Sequence, residues 1–168
     1  KQHGLFLEMA SRVLATRSDV LFLVAGDGEL RVALEARAVA LRLGSAVRIL
    51  GWRQDLPNIY GASDLFVLTS RNEGTPVALI EAMASGTPGV STDVGGVRDV
   101  LGSSDVGRVV PSGDAAALAN EVLSLLACGD TTRHAMGQRA REAVIERFAM
   151  ERLVADVVAL YDELLNRA

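Results

Sequence analysis

The chain has 168 residues, about one domain's worth, with 49% hydrophobic and 23% charged residues and a formal net charge of −4. This composition excludes a disordered chain, and a chain of this size buries roughly two-thirds of its surface. No apolar run approaches the ~20 residues of a membrane-spanning helix. The acidic balance leaves no electrostatic footprint for nucleic acid, and a single cysteine, Cys128, excludes an internal disulfide and fits a reducing compartment.

The chain opens at Lys1 without initiator methionine, signal peptide or basic leader, and the expectation is a fragment of a longer protein. Leu5, Leu7, Met9, Ala10, Val13 and Leu14 recur at helical spacing and predict a first helix. Residues 20–25 form a short apolar run ended by Gly26-Asp27-Gly28, the pattern of a strand buried on both faces. Residues 30–43 are amphipathic, with Gly44 where a C-terminal cap belongs. Strands follow at 47–50 and 64–68, with a short helix at 56–60 between them. A helix is predicted at 76–84 with Pro76 at or near its first position. Strands at 89–92 and 107–110 come next, then three helices at about 115–127, 131–146 and 151–166. The alternation predicts an α/β fold: a doubly wound, Rossmann-like parallel sheet in a single domain over 1–168. The last three helices have no strands between them, so they pack on one side or reach towards an absent partner domain.

In such sheets ligands bind beyond the carboxyl ends of the strands. That edge gathers Gly26-Asp27-Gly28, Gly51-Trp52-Arg53, Ser70-Arg71-Asn72-Glu73-Gly74 and Asp93-Val94-Gly95-Gly96. Of these, the segment from Glu73 to Glu81 carries the most chemistry. Glu73 lies in the loop after the third strand, and Gly74 lets backbone approach a ligand. The helix starting near Pro76 turns its free N–H groups to that loop, which suits a phosphate. Glu81 is the only charge between Pro76 and Ala84, and Val77, Ile80 and Ala84 look like its core neighbours. A carboxylate in that setting needs a partner. Spacing leaves two readings open for it, a ribose diol or a solvated or arginine-capped acid.

Two glutamates seven residues apart, with Gly74-Thr75-Pro76 after the first, resemble the E-x7-E motif of retaining GT-B glycosyltransferases, in particular glycosyltransferase family 4. The resemblance covers nearly the whole chain. Lys1 before a helix is similar to the lysine of the family's Arg…Lys phosphate pair. Val24-Ala25-Gly26-Asp27-Gly28, Val47-Arg48-Ile49-Leu50-Gly51-Trp52, Tyr60-Gly61-Ala62-Ser63-Asp64-Leu65-Phe66-Val67-Leu68, Glu81-Ala82-Met83-Ala84-Ser85-Gly86-Thr87-Pro88 and Gly95-Gly96-Val97-Arg98-Asp99 follow in the family's order.

The resemblance implies a nucleoside diphosphate-sugar as donor substrate, no cofactor, and an N-terminal acceptor domain as partner. It implies Glu73 beside the donor sugar in the catalytic role, Glu81 on the ribose hydroxyls and Lys1 on the diphosphate. Gly74, Thr75, Pro76 and Val77 would line the sugar and phosphate pocket, with the Gly26 and Gly28 turn nearby. Trp52 and Arg53 would sit beside the base, although Trp52 also reads as a packing residue. No Asp-x-Asp occurs in the chain, so no metal-bridged donor is expected, and His3 and His134 lack ligand spacing. The implied location is cytoplasmic, with peripheral association at the inner membrane face open to the full-length protein.

Two features depart from the family pattern. Its phosphate arginine would precede Lys1, and Gly89 replaces a β-branched residue, which is expected to loosen the fourth strand. Competing readings are a nucleotide-sugar epimerase of the same architecture, a non-catalytic nucleotide-sugar-binding domain, and a nicotinamide-binding Rossmann domain. Arg31 at the third glycine position of Gly26-Asp27-Gly28-Glu29-Leu30-Arg31 disfavours the last of these.

Overall fold

A computed structural model describes residues 1–167. The elements run α1 His3–Leu14, β1 Phe22–Ala25, α2 Arg31–Ala40, β2 Val47–Gly51, α3 Leu56–Gly61, β3 Phe66–Leu68 and α4 Val77–Ala84. They continue with β4 Gly89–Thr92, α5 Val97–Leu101, β5 Gly107–Val110, α6 Ala115–Ala127, α7 Asp130–Phe148 and α8 Met150–Asn166. Every element expected from periodicity is present. The additions are a 3-10 turn at Gly44–Ala46 and α5, whose few residues cannot reveal a helical period.

All strand pairs are parallel, but they form two sheets where one was expected. β1 pairs with β2, and β3, β4 and β5 form a second sheet in that order. In the second sheet the strand period of two sends alternate side chains to opposite faces. Val67, Val90 and Val110 pack with Leu5, Met9, Leu118 and Val122 of α1 and α6. Leu68 and Val109 pack with Leu79, Met83, Val97, Leu101, Ala140 and Val144 of α4, α5 and α7. This sheet is therefore covered on both sides, and β4 is buried throughout.

β1 is not the doubly buried strand that its apolar run suggests. Only Phe22 is buried in it, because its free edge borders a cleft facing β3 and α2 contributes no buried side chain. The end of α2 also differs from expectation. Arg42 takes the left-handed conformation that ends the helix (φ +56°), and Gly44 is left-handed two residues later (φ +52°). The amides of Arg42 and Leu43 then bond the carbonyls of Val39 and Ala38, at 2.9 and 3.0 Å, which closes the last turn.

Gly89 does not loosen β4. A Cβ there would stand 2.5 Å from Leu79 Cδ1, and one at its neighbour Gly107 would stand 2.4 Å from Leu101 Cδ2. The missing side chains are what let α4 and α5 press leucines onto the sheet. Of the last three helices, α6 and α7 pack on the domain, while α8 buries no residue and leaves Leu153, Val157, Leu160, Tyr161 and Leu164 exposed. No helix among the described residues is long and apolar enough to cross a membrane.

Candidate active site

A cleft of about 1020 Å³ runs between β1 and β3. Its far end is occupied by Arg17 and Arg133, which reach the last carbonyls of α6: Arg17 to Leu126 at 3.2 Å, Arg133 to Leu125 and Leu126 at 3.3 and 3.0 Å. Asp19, Asp64 and Asp130 pair with the same two arginines. The uncommitted chemistry lies at the near end, where Lys1, His3, Tyr60, Glu73, Thr75, Val77, Ala78 and Glu81 meet.

Glu73 is brought there by the loop leaving β3. Its side chain is only 12% exposed. Lys1 Nζ and Ser70 Oγ both donate to its Oε1. Burial pushes its carboxyl up, but the two hydrogen bonds and the lysine charge outweigh it, and Glu73 sits below the ordinary glutamate range. Lys1 is held over it because the Gln2 amide bonds the Thr69 carbonyl (3.0 Å), and Thr69 Oγ1 returns a bond to the Gln2 carbonyl (3.1 Å). The start of α1 is thus tied to the end of β3.

The Glu73 loop is seated on the loop after β4. The Gly96 amide bonds the carbonyls of Glu73 (3.3 Å) and Gly74 (3.1 Å). A Cβ on Gly95 would lie 1.6 Å from the Glu73 carbonyl oxygen, and Gly95 itself is left-handed (φ +48°). A Cβ on Gly96 would lie 2.4 Å from the Gly74 carbonyl oxygen. Only two glycines allow this approach.

α4 begins at Val77 behind the buried Pro76, whose carbonyl bonds the amides of Leu79 and Ile80 at 3.0 and 3.2 Å. The Ala78 amide has no partner among the described residues and faces the cleft end of the helix. Val77, Ala78 and Glu81 share the open face of α4, and Leu79, Ala82 and Met83 the buried one. Glu81 is consequently exposed, as the solvated reading allowed, and Val77, read as core, is 59% exposed. No lysine or arginine pairs with Glu81 among the described residues; its partner is the Tyr60 hydroxyl, which donates to Oε2 at 3.2 Å.

The model of the glycosyl transferases group 1 family matches residues 1–143. This chain belongs to that family. The N-acetyl-alpha-D-glucosaminyl L-malate synthase of Bacillus anthracis is 32% identical over 153 residues, which are 91% of this chain and 40% of the synthase. Among solved structures, a TarM variant of S. aureus in complex with UDP superposes with a TM-score of 0.89 at 25% identity, over 96% of this chain and 33% of that one. A sucrose-phosphate synthase of Thermosynechococcus elongatus gives 0.84 at 27% identity, over 96% and 43%. The chain spans less than half the length of these relatives.

In this chain the cleft gathers Lys1, Glu73, Thr75, Val77 and Glu81, whereas Gly74 and the buried Pro76, expected to line it, only connect them. It does not gather the rest. Gly26 bonds the Gly51 carbonyl through its amide (2.8 Å), and Gly28 has its amide on Asp27 Oδ1 (2.9 Å); neither lines the cleft. Trp52 is 76% exposed, so it neither packs nor lines the cleft, and Arg53 is spent on a two-pronged pair with Asp55 at 2.8 and 2.6 Å. Both follow β2, the strand farther from the cleft. Sequence reasoning assigned no role to Tyr60 and read His3 as structural or solvated, yet both line the cleft. Burial first, with the nearby Lys1 charge adding to it, holds His3 below its ordinary value. No cluster of three or more His, Cys, Asp or Glu side chains suited to a metal ion occurs among the described residues.

Proposed function

We propose that this chain is the donor-binding domain of a retaining, family 4 type glycosyltransferase, which moves a sugar from a nucleoside diphosphate-sugar to an acceptor. The observation that carries this is the convergence of Lys1, Glu73, the open start of α4 and Glu81 on one cleft. These groups suit the parts of such a donor in order. Lys1 and the α4 N-terminus suit the diphosphate, Glu73 the sugar beside it, and Glu81 the ribose diol one helical turn further on.

In the reaction the bond from the anomeric carbon to the diphosphate breaks, and its electron pair leaves with the phosphate oxygen. The acceptor hydroxyl oxygen takes its place on the same face of the sugar, and its proton passes to the departing diphosphate. Charge grows on the leaving oxygen as this happens. A cation and a helix N-terminus fixed beforehand stabilise that charge without reorganising. The acceptor, a cytoplasmic setting and the remaining contacts belong in this reading to an N-terminal domain of the same protein. An epimerase or a purely binding domain shares the architecture but is not favoured by a family of transferases.

Calorimetry with a panel of nucleoside diphosphates tests the assignment. Glu81→Ala is expected to weaken binding by roughly 1.5–3 kcal/mol, the scale of a hydrogen bond to a charged group. Unchanged affinity would remove Glu81 from the site. The isolated chain is expected to bind the donor without turnover, and sugar transfer by it alone would sink the two-domain reading.

A further inference from the structure

We propose that Tyr60 is a positioning residue of the nucleotide site: its hydroxyl engages one carboxylate oxygen of Glu81 and so aims the other at the vicinal hydroxyls of a ribose. This rests on the donor-site reading above.

Three elements converge to fix Tyr60. It sits near the end of α3, is 9% exposed, and stands edge-on to Phe66 of β3, with ring centroids 5.6 Å apart at 86°. Its carbonyl accepts from Thr87 Oγ1, in the loop between α4 and β4, at 2.6 Å, and from the Ser63 amide at 2.9 Å. Thr87 is itself 2% exposed. The ring therefore has little freedom, and its hydroxyl emerges at one point, 3.2 Å from Glu81 Oε2.

Glu81 is the opposite case. It is exposed on the open face of α4, and among the described residues no cation pairs with it; its side-chain partner is Tyr60. Ordering a free glutamate side chain costs conformational entropy, which a ligand must otherwise offset on binding. A carboxylate only accepts hydrogen bonds. Tyr60 donates to one oxygen, and the other is left for a diol that donates. The direction of the bond is stable, because burial and then the Glu81 charge push the tyrosine up to about 12, and its proton stays in place at neutral pH.

The test is Tyr60→Phe, which keeps the ring and removes the donor. Uridine diphosphate and its 2′,3′-dideoxy counterpart are titrated against wild type and variant. Wild type is expected to favour the ribonucleotide. The variant should lose about 3- to 10-fold for the ribonucleotide, consistent with one hydrogen bond, and nothing for the dideoxy form, so that the ratio falls. In a Glu81→Gln background the same substitution should leave the ratio alone. Loss of both ligands in proportion, as a merely structural role would give, overturns the proposal, and so does an unchanged ratio. Absence of any ribose preference in wild type would instead remove the underlying Glu81 assignment, a separately readable failure.

Discussion

The two walls of the cleft are built to different tolerances. On the β3–β4 side the backbone is locked: a single added carbon at Gly95 would lie 1.6 Å from the Glu73 carbonyl oxygen, and Thr69, Ser70 and Pro76 are buried around it. On the β1–β2 side the equivalent loop is open. Nothing lies within 4 Å of a Cβ built on Gly26 or Gly28, α2 buries no side chain, and Trp52 stands in solvent. In the proposed reaction, the groups set against the breaking bond, Glu73 and the start of α4, sit on the locked wall. Close-packed backbone holds position to fractions of an ångström, which the proposed bond breaking demands. The glycines carry this difference in two ways: those of the locked wall permit contact, whereas those of the open wall permit only turns.

Alanine substitutions at these glycines break or sharpen the contrast. Gly95→Ala combines a collision with backbone carbonyl and a left-handed φ, and should destabilise the chain by about 4 kcal/mol. Gly96→Ala is the cleaner probe, since φ −76° suits any residue. Its Cβ meets the Gly74 carbonyl alone, and a cost of about 2 kcal/mol is expected. Gly28→Ala should stay within about 0.5 kcal/mol. Thermal midpoints and denaturant unfolding of the three variants measure this. A Gly28→Ala loss equal to that of Gly96→Ala would mean that the open wall is as tightly built as the other.

Much of this arrangement was legible in the chain, and the exceptions share a cause. Apolar periodicity locates the helices and strands, because each needs only neighbours within a few residues. The Glu73–Glu81 spacing, with glycine and proline between, correctly puts a loop acid before a helix start. What failed needs partners distant in sequence. Gly89 looked like a defect until Leu79 and Leu101 were seen pressed against it. Val77 looked like a core neighbour of Glu81, yet the cleft opens that face of α4, and the solvated reading left open for Glu81 describes its exposure. Tyr60, 21 residues before Glu81, becomes its partner only through the α3–α4 approach. Trp52 and Arg53 were placed by resemblance, and nothing local in them specified a direction.

A further small effect concerns the ion pair between Lys1 and Glu73 on the locked wall. Glu73 is depressed in the fold, so its stabilising contribution is complete above the ordinary glutamate range and disappears as pH falls through its lower folded value. Lys1 is 50% exposed, and solvent screens the pair, so the contribution is below about 1 kcal/mol. The thermal midpoint of wild type should exceed that of Glu73→Gln at neutral pH, and the gap should close on acidification. Added salt at neutral pH should narrow it as well. A gap that widened in acid would reverse the sign: burial would then outweigh Lys1 and Ser70, and Glu73 would hold a proton. In that state it would donate to a sugar hydroxyl or ring oxygen instead of accepting, and the polarity of the proposed contact beside the anomeric carbon would be inverted.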